Sequence, residues 1–205
     1  MGIPSHLVKA FDIFNKGRID SYLKPFKWHD KLYHSAQELA DWGWDAYINK
    51  KADISKDPHH QFLERLDRAG WKYTDESGRL LPSPPPHRAG VTSASECGIG
   101  GTSVSKGEDG KDYPKDPSGW CHPFMSPESH AKELVQTLTV GIKDPNEGHR
   151  WDFHAGWTHA ALGYNSGIIV VDYGYLPDEP EPTPTPDPKP TPDVLGPGDF
   201  DMGGN

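Results

Sequence analysis

The chain has 205 residues, of which 34% are hydrophobic, with 22 glycines, 21 prolines and a formal charge of −9. That length fits one ordinary domain with an appendage, or two very small domains. Residues 176–205 carry seven acids against Lys189, and residues 1–175 carry 23 acids against 20 bases, so neither part offers the basic field that nucleic acid or an anionic membrane requires.

No run approaches the roughly 20 apolar residues of a membrane span. The opening segment, MGIPSHLVKAFDIFNKGR, has no basic stretch followed by an apolar one, and His6 stands where myristoylation needs Ser or Thr. No secretory signal is expected, and the chain is expected to be cytoplasmic at synthesis. Leu7, Val8, Phe11, Ile13, Phe14 and Ile19 recur at helical spacing over residues 6–22, with Ser5 as the N-cap and Gly17 as an interruption. Residues 29–50 predict the strongest helix, its stripe running through Leu32, Ala36, Leu39, Ala40, Trp42, Gly43, Ala46 and Tyr47. Pro58 opens a third helix, with Phe62, Leu63, Leu66 and Ala69 inward and Gly70 as the stop.

Residues 71–90 read as a loop, residues 90–95 as a short strand, and residues 98–122 as a long irregular segment of the kind that is functional or tied down. A fourth helix begins at Ser126-Pro127-Glu128 and carries Ala131, Leu134, Val135 and Leu138. Residues 157–164 and 168–175 predict a hairpin about Asn165-Ser166-Gly167. Helices, a short strand, a helix and a closing hairpin imply an α+β fold, with helices packed on a small antiparallel sheet. Nine of the 21 prolines lie in residues 176–205. Residues 176–193 read as an acidic, extended polyproline linker, and residues 194–205, with Phe200 and Met202, as a tail and possible anchor peptide.

Asn15-x-x-Arg18, Leu23-x-Pro25, His59-His60 with Arg65 and Gly70-Trp71, Ser95-Glu96-Cys97 and Gly148-His149-Arg150 follow one another within residues 8–175, and this ordered set resembles the motifs of the CAP superfamily, which comprises the cysteine-rich secretory, antigen-5 and pathogenesis-related proteins. Asn15-x-x-Arg18, then Leu23-x-Pro25, Trp28, Leu32, Ala36 and Ala40, resemble the family's opening pattern. His59-His60, Arg65 and Gly70-Trp71 resemble its His followed by R-x-x-x-x-G-[YW]. Ser95-Glu96-Cys97 stands where the family has G-E-N, with Ser and Cys in place of Gly and Asn, and Gly148-His149-Arg150 resembles the bacterial G-H-R. The resemblance implies an αβα sandwich over residues 1–175. It also implies a cleft tetrad of two histidines and two glutamates, carried over as His60 (or His59), Glu96, Glu133 and His149.

In such a cleft His60 and His149 would bind a divalent metal, zinc being the ion implied, with carboxylates completing or orienting the shell. A plainer reading stands beside it, in which eleven histidines make clustering inevitable and these side chains serve as structural hydrogen-bonding groups. The chain has no H-E-x-x-H, no Ser-His-Asp spacing and no phosphate loop. Cys97 and Cys121 either staple the long loop or remain free thiols. Of the tryptophans Trp42, Trp44, Trp71, Trp151 and Trp157, at least two are expected in the core.

The resulting expectation is a non-enzymatic CAP-type binding or structural module rather than an enzyme. It is expected to be an accessory component of a larger assembly such as a phage virion or tail, or extracellular, engaging other protein subunits partly through its C-terminal tail or docking on a cell-surface ligand. The competing expectations are a metal-dependent hydrolase of peptide or cell-wall material and a small-lipid carrier.

Overall fold

The structure, a computed structural model, describes residues 2–49, 57, 59–71, 93–99 (main chain alone), 106–113, 124–139, 152–154 and 156–176. The elements run α1 (Val8–Asp20), β1 (Lys27–Trp28), α2 (Asp30–Asn49), α3 (Phe62–Arg68), β2 (Ser93–Ile99), α4 (Pro127–Thr139), β3 (His159–Asn165) and β4 (Ile168–Tyr175). The fold is α+β, as the sequence predicts.

The sheet is mixed rather than wholly antiparallel. Its strand order is β1-β3-β4-β2, with β2 and β3 antiparallel to the central β4, and β1 parallel to β3 through Lys27↔His159 and Trp28↔Ala160. Two residues carry no readable period, so β1 has no signature in the sequence; it exists because Lys27 donates its N–H to the Thr158 carbonyl. β2 extends to Ile99, beyond the expected end at residue 95. The hairpin turns through two residues, Ser166 and Gly167, with Ser166 at φ 52°.

Strand alternation sorts the core onto two faces. Ala160, Leu162, Ile169, Val171 and Tyr173 point to one face, where they pack with Ala10, Phe11 and Phe14 of α1, Ala131, Leu134 and Leu138 of α4, and Phe26, Phe153 and Trp157. Ile168, Val170 and Ala161 point to the other, against Leu32, Ala36, Leu39 and Ala40 of α2, Leu66 of α3, and Trp71. Thus helices cover both faces. On the second face the approach is main chain to main chain, since a Cβ added at Gly163 would lie 2.1 Å from the Ala36 carbonyl carbon.

The helix ends differ from expectation in informative ways. α1 begins at Val8 with no side-chain cap; instead Leu7 donates its N–H to the Pro4 carbonyl, so Ser5 is not the N-cap. Gly17 does not interrupt α1. It is the point of closest approach to α4, where an added Cβ would come 2.5 Å from Val135 Cγ1.

α3 begins at Phe62 rather than at Pro58, which lies outside the described residues, and Leu63 is exposed while Arg65 is buried. Its stop is as predicted. Gly70 takes φ 73° and donates to the Asp67 carbonyl, and Trp71 donates to the Leu66 carbonyl while packing on the Leu66 side chain, which is the Schellman arrangement. Helix α1 ends in the same pattern, with Tyr22 at φ 60° in the position that favours glycine, and that residue is 99% exposed. Ser126 caps α4, its hydroxyl accepting from the Ser129 N–H.

Two side-chain amides act as substitute peptide groups. Asn15 accepts from the Phe26 N–H at 2.8 Å and donates to the Phe26 carbonyl at 3.0 Å. Gln37 of α2 does the same for Tyr164, accepting at 3.0 Å and donating at 2.9 Å. Among the described residues no helix is long and apolar enough to cross a membrane.

Candidate functional site

His60 sits in the turn that leads into α3, beside α2. Its imidazole lies flat on the Trp42 ring, with centroids 4.1 Å apart and planes 6° from parallel. Its Nδ1 is 2.7 Å from an Asp57 carboxylate oxygen. A carboxylate at neutral pH only accepts, so Nδ1 donates to Asp57.

Behind the ring stands Arg65, only 1% exposed. Its Nε donates to the His60 carbonyl at 2.7 Å, and Nη1 donates to the Ser35 carbonyl at 2.8 Å and the Ser35 hydroxyl at 3.2 Å. The same Nη1 lies 3.9 Å from Asp172 Oδ2, at 0% exposure for that residue. Asp172 is in β4, and its Cα partner in β2 is Glu96. One guanidinium therefore ties together the turn carrying His60, the N-terminal half of α2 and the strand pair carrying Glu96.

Of the four residues of the implied tetrad, His60 and the main chain of Glu96 flank this node. Glu133 belongs to α4, in the layer on the opposite face of the sheet. His149 lies outside the described residues, as do Arg150, Trp151, Cys121 and residues 177–205. Among the described residues no group of three or more His, Cys, Asp and Glu side chains is placed to hold a metal ion. Trp71 and Trp157 are buried in the core as expected, whereas Trp42 and Trp44 are half-buried.

The family-like motifs turn out to be structural joints. In Asn15-x-x-Arg18, Asn15 clamps Phe26, while Arg18 is buried, donates through Nε to the Lys24 carbonyl and through Nη1 to the Phe153 carbonyl, and lies 4.0 Å over the Phe26 ring. Burial pulls the Arg18 guanidinium down to about 10. In Arg65-x-x-x-x-Gly70-Trp71, the arginine forms the node and the last two residues close α3.

A second polar cluster escaped the sequence reading. Residues 106–113 are tied down at the start of α4. Glu108 accepts from the Ser126 N–H at 2.8 Å and donates its own N–H to the Phe124 carbonyl. Tyr113 meets the Trp44 ring, with centroids 5.7 Å apart. Burial works to raise the Glu108 carboxyl, but hydrogen bonds from the Ser126 amide and the Ser129 and Ser126 hydroxyls outweigh it and hold the group below its usual range. Nearby, His130 is buried against Tyr164, whose hydroxyl donates to the Met125 carbonyl at 2.7 Å. Burial, then the charges of Glu108 and Glu128, push the Tyr164 phenol up to about 12.

The signals for the missed residues were present but faint. Asp172 is a lone charge inside the apolar run IIVVDYGY, and His130 falls on the apolar stripe of α4. No protein-family model, curated protein or solved structure matches the chain.

Proposed function

We propose that the chain is a non-enzymatic CAP-superfamily module, an αβα sandwich that docks on a protein or cell-surface ligand as an accessory component of a larger assembly such as a phage virion or tail. The observation that carries this reading is the rim of α2 and α3. There His60 and Trp42 form a stacked, half-buried aromatic pair beside the Asp57 carboxylate, and Arg65 links their scaffold to the strand pair of Glu96. Planar rings next to a fixed acceptor suit recognition of a polar surface with apolar faces. The acidic 176–205 segment, with its alternating prolines, supports tethering to other subunits.

The test is co-sedimentation of the full chain with purified cell-wall sacculi, with soluble fragments measured in the supernatant. Binding without release of fragments, weakened about tenfold by Trp42→Ala with an unchanged melting temperature, is the expected result. Release of fragments that stops with His149→Ala overturns it.

One observation favours a second reading, a metal-dependent hydrolase. The Asp57 carboxylate engages Nδ1 of His60 and so turns Nε2 away from itself, the arrangement that a carboxylate imposes on zinc-binding histidines. On that reading His60 and His149 hold the ion and Glu96 stands beside it, while zinc supplies Lewis-acid activation of water. Calorimetric titration with zinc is the check: heat of binding that disappears in both His60→Ala and His149→Ala supports the site.

A further inference from the structure

We infer that Arg65 is the positioning residue of the candidate site, setting the His60 ring through its main chain. The inference rests on the reading of His60 as part of a ligand site. The turn before α3 is not held by its own local bonds alone. Gln61 takes φ 51°, in the left-handed region, and the turn closes through the Phe62 N–H on the His59 carbonyl. Arg65 fixes this turn from inside the protein by donating Nε to the His60 carbonyl.

The guanidinium is itself immobilised. Ser35 accepts from Nη1 through two oxygens, and the Asp172 carboxylate faces the same nitrogen. The position of the His60 ring on Trp42 is therefore set from α2 and from the β4 position paired with Glu96, rather than by α3 alone. A shorter, non-planar cation cannot reach the His60 carbonyl and Ser35 together.

The consequence is readable in the spectrum of the full-length chain. Stacked 4.1 Å over an indole, the His60 ring protons are displaced upfield. Arg65→Lys is expected to abolish that displacement. Leu66→Ala, which loosens the packing of α3 without touching the His60 carbonyl, is expected to keep it.

Retention of the full displacement in Arg65→Lys overturns the inference, and so does an equal loss in Leu66→Ala, which would make the effect one of general loosening. Should Arg65→Lys fail to fold, Asp172→Asn preserves shape while removing the carboxylate charge that faces the guanidinium; it is expected to reduce the displacement, and an unchanged signal counts against Arg65. Zinc titration of the same proteins judges the site separately. If the wild type binds zinc, Arg65→Lys is expected to lose about tenfold or more in affinity. If the wild type gives no heat, the metal reading fails while the ring signal still decides the role of Arg65.

Discussion

Among the described residues each face of the sheet buries one arginine, and the two have different partners. On the α1/α4 face the strands present Leu162, Ile169, Val171 and Tyr173, and Arg18 lies among Phe26 and Phe153 with main-chain carbonyls as its acceptors. On the α2/α3 face Ile168 and Val170 stand among the smaller Ala161, Gly163 and Gly174; the two glycines let α2 and Trp71 come close, and Arg65 meets the Asp172 carboxylate. At Gly163 the missing side chain brings α2 down onto the sheet, and on that face the buried guanidinium has a carboxylate 3.9 Å away in addition to its carbonyl acceptors. The α2/α3 face is therefore the one whose buried arginine is tied to an ion pair.

Removing one partner of a buried pair strands the other, so Arg65→Met is expected to cost about 3–5 kcal/mol in urea denaturation, the largest single effect. Adding Asp172→Leu to that variant should restore part of the loss, and a further loss would contradict the pairing. Arg18→Met is expected to cost less, about 1–3 kcal/mol, because it leaves carbonyls without donors but no buried opposite charge.

Gly17→Ala should cost about 1–3 kcal/mol by forcing α1 away from Val135, despite alanine's better helix propensity. In a Val135→Ala background the same change should become neutral or favourable, a coupling that a double-mutant cycle measures directly.

A pH series separates the two titrating groups at the start of α4. Tyr164 has a raised folded-state pKa, so its contribution is complete below about pH 10 and is lost as pH rises through about 12. Tyr164→Phe should flatten melting temperature against pH in that window. Glu108 is held low, so its contribution is present above about 4.5 and disappears as pH falls through its lower folded value. Glu108→Gln should remove that acid-side slope. The smallest effect is a gain, in that Tyr22→Gly should raise the urea midpoint by the equivalent of about 0.5–1 kcal/mol by relieving the left-handed φ.

The stripe of α2 was legible almost residue for residue, because each apolar position recurs over five turns and meets the sheet. The hairpin was legible from its alternation and turn residues. Gly17 was misread because a glycine within a periodic run looks the same in sequence whether it breaks a helix or admits a neighbouring one. Leu63 was expected inward and Arg65 was not, since in a seven-residue helix the inward face is set by what the arginine can reach, not by the count of apolar residues. Of the candidate site, the family resemblance implies a tetrad of His60, Glu96, Glu133 and His149; Glu133 lies on the opposite face of the sheet, while His60 and the main chain of Glu96 flank one node. The Arg65–Asp172 connection between them depends on strand register, which no local pattern encodes.

The amide of Gln37 has a wider consequence. At Tyr164 it occupies the N–H and C=O that β3 turns outward beyond the reach of its short neighbour β1. Open strand borders of this kind are where identical chains join one another into larger aggregates. A single polar side chain, supplied by a helix and not by a strand, blocks recruitment there. Its loss, as in Gln37→Leu, should show first as concentration-dependent light scattering in a protein that is still folded.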